Sequence, residues 1–271
     1  MFSELSPETK EFIEYMVSNG NLDLISKTGK RGGAFATFIG TEKAPFIFAN
    51  SVGIPNDIRV LAHEAGHAFQ FYMNRNTQIP EYISPTSDAT EIHSFTMERF
   101  VWPWMELFFE KDTDKYKYCH LTEAFILMPW ANAIDEFQHY LYDHPSQTMD
   151  ERKAKWREIE RIYMPEKDYD GNEFLERGGS FYQISHLFET PFYFIDYDLA
   201  HNCAVQLWIR YNENREEGWN DFLNICRVGD SESLVEIINR ARLQSPFDDG
   251  SLRYIIEYVD RWVEQFDDQK Y

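Results

Sequence analysis

DIRVLAHEAGHAFQFYMNR, residues 57–75, reads as an amphipathic helix. Ile58, Leu61, Ala65, Phe69 and Tyr72 recur near helical spacing, and Asn56-Asp57 supplies a start signal. Inside the stretch stand His63-Glu64-Ala65-Gly66-His67, an H-E-x-x-H pattern. Residues four apart share a helix face, so both imidazoles can point at one ion. Glu64 lies beside that face, where it can take a proton from a metal-bound water. A helix carrying two surface histidines is the plain alternative.

Moving outward, Ser6-Pro7 followed by an apolar-periodic stretch to Val17 predicts a capped first helix, stopped near Gly20. From Thr28 to Asn50 the texture changes to glycine turns and two β-rich runs, Ala34–Ile39 and Pro45–Ala49. These predict a small hairpin or ribbon. Downstream, Thr86–Phe109 reads as helical with a break or kink at Pro103, and Tyr116–Tyr142 as helical with a kink at Pro129. A helix over 150–163, a loop over 165–180 and a long helix from about Pro191 to Asn214 follow. Shorter helices are predicted at 218–226, 231–243 and 251–266. The expected fold is mainly α with one small β element. No repeat, linker or low-complexity tract interrupts it, so residues 1–271 read as a single domain.

A catalytic zinc needs a third protein ligand and an open position. Glu91 lies 24 residues beyond His67, and Glu98 lies seven further, two helical turns on and so on the same face. One can ligate directly while the other orients an imidazole from behind. Two acids on a helix are ordinarily a solvated face. After H-E-x-x-H, with Phe95 and Phe100 beside them, they become credible ligands. His93 points elsewhere and reads as packing, or at best as a group behind a ligand. Late in the chain, HLFETPFYFIDYDLA (186–200) holds His186, Tyr193 and Tyr197, the two tyrosines four apart. A phenol or imidazole aimed at a scissile carbonyl would stabilise an oxyanion.

Composition bounds the classes. Lys plus Arg is 26 against 46 Asp plus Glu, a formal net charge of −20. That disfavours nucleic acid, which demands clustered cations, and docking on an anionic membrane. No run approaches the ~18–20 apolar residues of a membrane span. MFSELSPETKEF has acids where a signal peptide has a basic region. Three scattered cysteines make neither a disulfide framework nor a thiolate zinc site. A soluble, cytoplasmic protein is expected.

These residues carry a family resemblance. GKRGGAF (29–35), LAHEAGHA (61–68), EIHSFTME (91–98), FVWPWMELFF (100–109), DEFQHYLYDHP (135–145) and HLFETPFYFIDYDLA together resemble the M3 family of zinc metallopeptidases, the oligoendopeptidase F and thimet oligopeptidase group. The resemblance spans nearly the whole chain. It implies a zincin-type helical catalytic domain, with the ribbon ahead of the zinc helix and a deep channel with zinc at its floor. His63, His67 and Glu91 would bind one Zn2+ per chain, with Glu98 behind an imidazole. Glu64 would be general base and then acid. His186, Tyr193 and Tyr197 would hold the substrate carbonyl. Gly32 and Gly33 would let the ribbon pair with the substrate backbone as an added strand. The implied activity is cleavage of internal bonds of short unstructured peptides.

Members of that family are usually longer, with a large helical segment ahead of the zinc helix that forms the other channel wall. This chain begins about sixty residues before His63, so the expectation is a catalytic core without that segment. A homodimer or a helical partner would then replace the wall. Gln70 stands where the family often has a further histidine. The competing expectations are a non-catalytic or partner-dependent zinc- or peptide-binding half of an assembly, and a different zincin such as an aminopeptidase.

Overall fold

A computed structural model of the chain describes residues 1–266. Helix α1 (Phe2–Leu5) leads into α2 (Pro7–Ser18). Ser6 caps α2 reciprocally: its hydroxyl accepts the Thr9 amide at 3.1 Å, and the Thr9 hydroxyl accepts the Ser6 amide at 3.0 Å. Pro7 occupies the first turn, where no amide hydrogen is needed.

Three strands follow: β1 (Leu22–Ile25), β2 (Phe35–Ile39) and β3 (Ala44–Ser51). The predicted hairpin is β2–β3, antiparallel in register from Phe35 opposite Phe48 to Ile39 opposite Ala44. The sheet has a third strand that the sequence did not announce. β1 pairs parallel to the other side of β3, giving the order β1-β3-β2, with an irregularity between Asp23 and Ile25. Four residues of LDLI are too short for a periodicity signal, and a parallel partner is not local in sequence.

Helix α3 (Pro55–Asn74) carries the H-E-x-x-H pattern. It starts two residues before Asp57, whose carboxylate instead accepts the amides of Val52, Gly53 and Ile54 at 2.6–3.0 Å. Helix α4 (Ser87–Phe100) packs on α3 and is buried from Glu91 to Phe100. Pro103 ends the predicted long helix, as expected: a 3₁₀ turn, Trp102–Trp104, separates α4 from α5 (Glu106–Phe109). Helix α6 (Thr113–Asp143) then runs through Pro129.

Helices α7 (Met149–Tyr163), α8 (Glu173–Glu176), α9 (His186–Glu189), α10 (Phe194–Glu213), α11 (Arg215–Cys226), α12 (Leu234–Arg240) and α13 (Ser251–Val263) complete the described chain. The architecture is mainly α with one small sheet, as the sequence predicts. Contacts within the fold gather into two compact units. The first is Met1–Cys119 with the described chain from Ala200 to residue 266; the second is His120–Leu199. In the first, Phe12, Phe69, Phe100 and Phe222 pack ring against ring at centroid distances of 5.4–6.3 Å. In the second, Ile134, Phe137, Trp156, Ile159, Phe181 and Phe194 form the core. Among the described residues, no helix is long and apolar enough to cross a membrane.

Candidate metal centre

The donor cluster lies wholly in the first unit. His63 and His67, one turn apart on α3, bring their Nε2 atoms to 3.3 Å. Glu91 of α4 places its Oε2 at 3.2 Å from His63 Nε2 and 3.4 Å from His67 Nε2. The three atoms thus form a nearly equilateral triangle. Zinc takes nitrogen and oxygen ligands at ~2.0–2.1 Å in tetrahedral array, which sets the ligand–ligand edge at roughly 3.3–3.4 Å. The spacing of these donors and their chemistry, two imidazoles and one carboxylate, therefore fit zinc.

Two further contacts aim the donors. His63 Nδ1 donates to Glu98 Oε1 at 2.6 Å, which fixes the tautomer and turns the Nε2 lone pair into the triangle. The Ser94 hydroxyl donates to Glu91 Oε2 at 2.8 Å. Glu98 and Glu91 are both buried. Burial opposes charge on His63, yet hydrogen bonds to Glu91 and Glu98 overcome it and push its pKa up to about 10. Burial likewise works against ionised Glu91, but His63 and His67 hold its carboxyl well below the usual range. Ionised Glu91 that holds a proton on His63 this strongly is equally suited to a cation in that proton's place.

Gly66 makes the geometry attainable. A Cβ there would lie 2.5 Å from the His93 carbonyl oxygen and 2.6 Å from Ser94 Cα. The absent side chain lets α4 approach α3 closely enough for Glu91 and Glu98 to reach the imidazoles. The functional residues that sequence reasoning passed over are Gly66 and Ser94. Ser94's signal was its i, i+3 spacing from Glu91. His93 packs in the core as expected, 1% exposed, its Nδ1 donating to the Thr90 carbonyl.

Glu64 is buried at 7% exposure and stands outside the donor triangle. Burial raises its pKa, against the pull of His63 and His67 and of a hydrogen bond from the Ala36 amide. That bond ties β2 to the H-E-x-x-H helix. Strand β2 is at an edge of the sheet. Gly32 and Gly33 precede it, both exposed with open space around them, and Gly33 has φ +86°.

His186, Tyr193 and Tyr197 gather within the second unit. His186 lies 6.1 Å from Tyr193, ring planes parallel, and 5.8 Å edge-on from Tyr197. Tyr193 and Tyr197 meet edge-on at 5.2 Å. Tyr193 is not on the helix, as the i, i+4 reading expected; α10 begins one residue later. Phe192 has φ +63°, a left-handed bend that a helix cannot include. Its amide donates to Gln138 Oε1 at 2.8 Å.

Known proteins match most of this chain. The model of peptidase family M3 matches residues 9–255. PZ peptidase A, solved with an inhibitor, is 51% identical over 99% of this chain, with a TM-score of 0.94. A Bacillus anthracis protein described as a candidate oligoendopeptidase F is 46% identical over the full chain, with a TM-score of 0.88. An oligoendopeptidase F homologue of Borreliella burgdorferi is 26% identical over 228 residues, 80% of this chain. The chain spans 48% and 45% of those two structures and 37% of the curated relative. Because the family match runs unbroken from residue 9 to residue 255, through the donor triangle and the His/Tyr cluster alike, this chain belongs to peptidase family M3.

Proposed function

We propose that the chain is the catalytic part of a zinc-dependent oligopeptidase that hydrolyses internal bonds of short, unstructured peptides. The observation that carries the reading is the triangle of His63 Nε2, His67 Nε2 and Glu91 Oε2, with edges of 3.2–3.4 Å. These three residues would hold one zinc per chain, with Glu98 orienting His63. Bound zinc supplies Lewis acidity toward water and toward a peptide carbonyl. Glu64 takes the proton of the attacking water and returns it to the leaving amine. Its burial raises its basicity toward that role.

His186, Tyr193 and Tyr197 are assigned to stabilise the oxyanion, on the strength of their clustering and of the family resemblance. Removing one such donor typically costs ~10²–10³ in turnover. The edge strand β2 and the open backbone at Gly32 and Gly33 suit main-chain pairing with an extended peptide. The alternative reading is a zinc-bearing half that acts only with a helical partner or a second copy.

One experiment separates the readings: metal content and cleavage of an N-terminally blocked, quenched fluorogenic peptide, with and without chelator. One zinc per chain and chelator-sensitive internal cleavage support the peptidase. Zinc without cleavage supports the partner-dependent half. Absence of metal overturns both. The Glu64→Gln variant should retain zinc and lose cleavage; full activity in that variant excludes Glu64 as the base.

A further inference from the structure

His63 is held by more than Glu98. The ring of Phe95 meets it edge-to-face, centroids 5.3 Å apart at 68°. Phe95 in turn stacks on His201 at 3.7 Å, the planes only 16° apart. Arg99 closes the arrangement. It is 1% exposed, donates Nη1 to the Phe95 carbonyl at 2.8 Å, and bonds through Nη2 to His201 Nδ1 at 3.2 Å. A guanidinium only donates, so His201 Nδ1 accepts, and the imidazole is neutral with its proton on Nε2. One buried cation therefore grips both the backbone and the stacking partner of the same phenyl ring. All these groups belong to the first unit.

The Glu98 hydrogen bond sets the tautomer of His63 but leaves the ring free to swing about that bond. The swing decides where Nε2 points. A metal site tolerates errors of only about 0.2 Å in its ligand distances. The Phe95 ring limits the swing, and it can do so only if it is itself fixed. His201, 4% exposed, supplies the fixed plane beneath it.

We propose that His201 is a positioning residue for the metal ligand His63 and acts through its stack on the ring of Phe95. The proposal rests on the zinc reading above. Its test is zinc affinity, measured by competition with a chromophoric chelator, together with the visible spectrum of the Co2+-substituted protein. Outer groups that aim a ligand typically contribute ~10–100-fold in metal affinity. His201→Ala should weaken zinc binding by ~10-fold, the lower end of that range, and should shift the cobalt bands. His201→Phe keeps the stack and loses the Arg99 bond, so it should lower the melting temperature while keeping zinc affinity near that of the parent. That split is not expected of a residue that only fills the core.

His201→Ala with parental affinity and an unchanged cobalt spectrum overturns the proposal, as does His201→Phe binding as weakly as His201→Ala. Should His201→Ala fail to fold by circular dichroism, Phe95→Leu decides the matter in the same way. If the parent chain binds zinc and the variants match it, this proposal alone falls. If the parent binds none, the metal reading falls with it.

Discussion

At the scale of single residues, the centre depends on one atom that is missing. Gly66 has no Cβ, and the space is taken by the backbone of His93 and Ser94. Backbone cannot move aside as a flexible side chain can, so Gly66→Ala must push α4 away from α3. Overpacking of this kind costs ~1–3 kcal/mol in stability. The larger effect falls on zinc, because the displaced helix carries Glu91 and Glu98. We expect a ~10–100-fold loss of zinc affinity, the scale for disturbing a ligand's support, read by chelator competition. Undiminished affinity in a folded Gly66→Ala protein would refute the close-approach argument. Much of the triangle was legible in advance. H-E-x-x-H puts two imidazole donors on one helix face with a carboxyl beside them, and a seven-residue interval puts Glu91 and Glu98 on one face. The purpose of Gly66 was not legible, because what it avoids lies on another helix. Arg99 and His201 were silent for the same reason, being 102 residues apart in sequence.

At the scale of elements, sequence patterns located most helices to within a few residues and missed what long-range contacts decide. Strand β1 exists because β3 offers it a parallel edge. The segment read as a loop over 165–180 is pinned from α7, where fully buried Glu160 accepts from Arg157 at 2.9 Å and from Ser180 at 3.1 Å. The joint between α6 and the first turns of α10 offers a test by pH. Asn132 Nδ2 donates to Asp198 Oδ2 at 2.8 Å, yet burial outweighs that bond and raises the Asp198 pKa above its ordinary 3.8. A carboxyl whose folded pKa is raised binds its proton more tightly folded than unfolded. Its burial therefore costs nothing below pH 3.8, where both states are protonated, and the full cost is reached above the folded pKa. Asp198→Asn keeps an acceptor for Asn132 and cannot ionise. It should unfold at higher denaturant than the parent at pH 7, with the gap closing as pH falls toward 4. A gap independent of pH would mean that Asp198 is adequately solvated.

At the scale of the whole molecule, charge is the property that every substrate meets before any contact forms. A net charge of −20, from 26 basic and 46 acidic residues, surrounds the chain with a field that draws cations and repels anions. The field's reach is the Debye length, about 30 Å at 0.01 M salt and about 8 Å at 0.15 M. Steering of this kind acts on encounter and therefore on kcat/KM more than on kcat. For two peptides of equal length, one rich in Lys and Arg and one in Asp and Glu, the basic one should have the higher kcat/KM at low salt. Its advantage should shrink as salt rises to 0.15 M, through a falling value for the basic peptide and a rising value for the acidic one. Where cleavage needs a partner, peptide binding to the isolated chain gives the same comparison. A preference unchanged by salt would locate discrimination in direct contacts at the site. A preference that disappears with salt would assign the discrimination to long-range attraction by the net charge of −20.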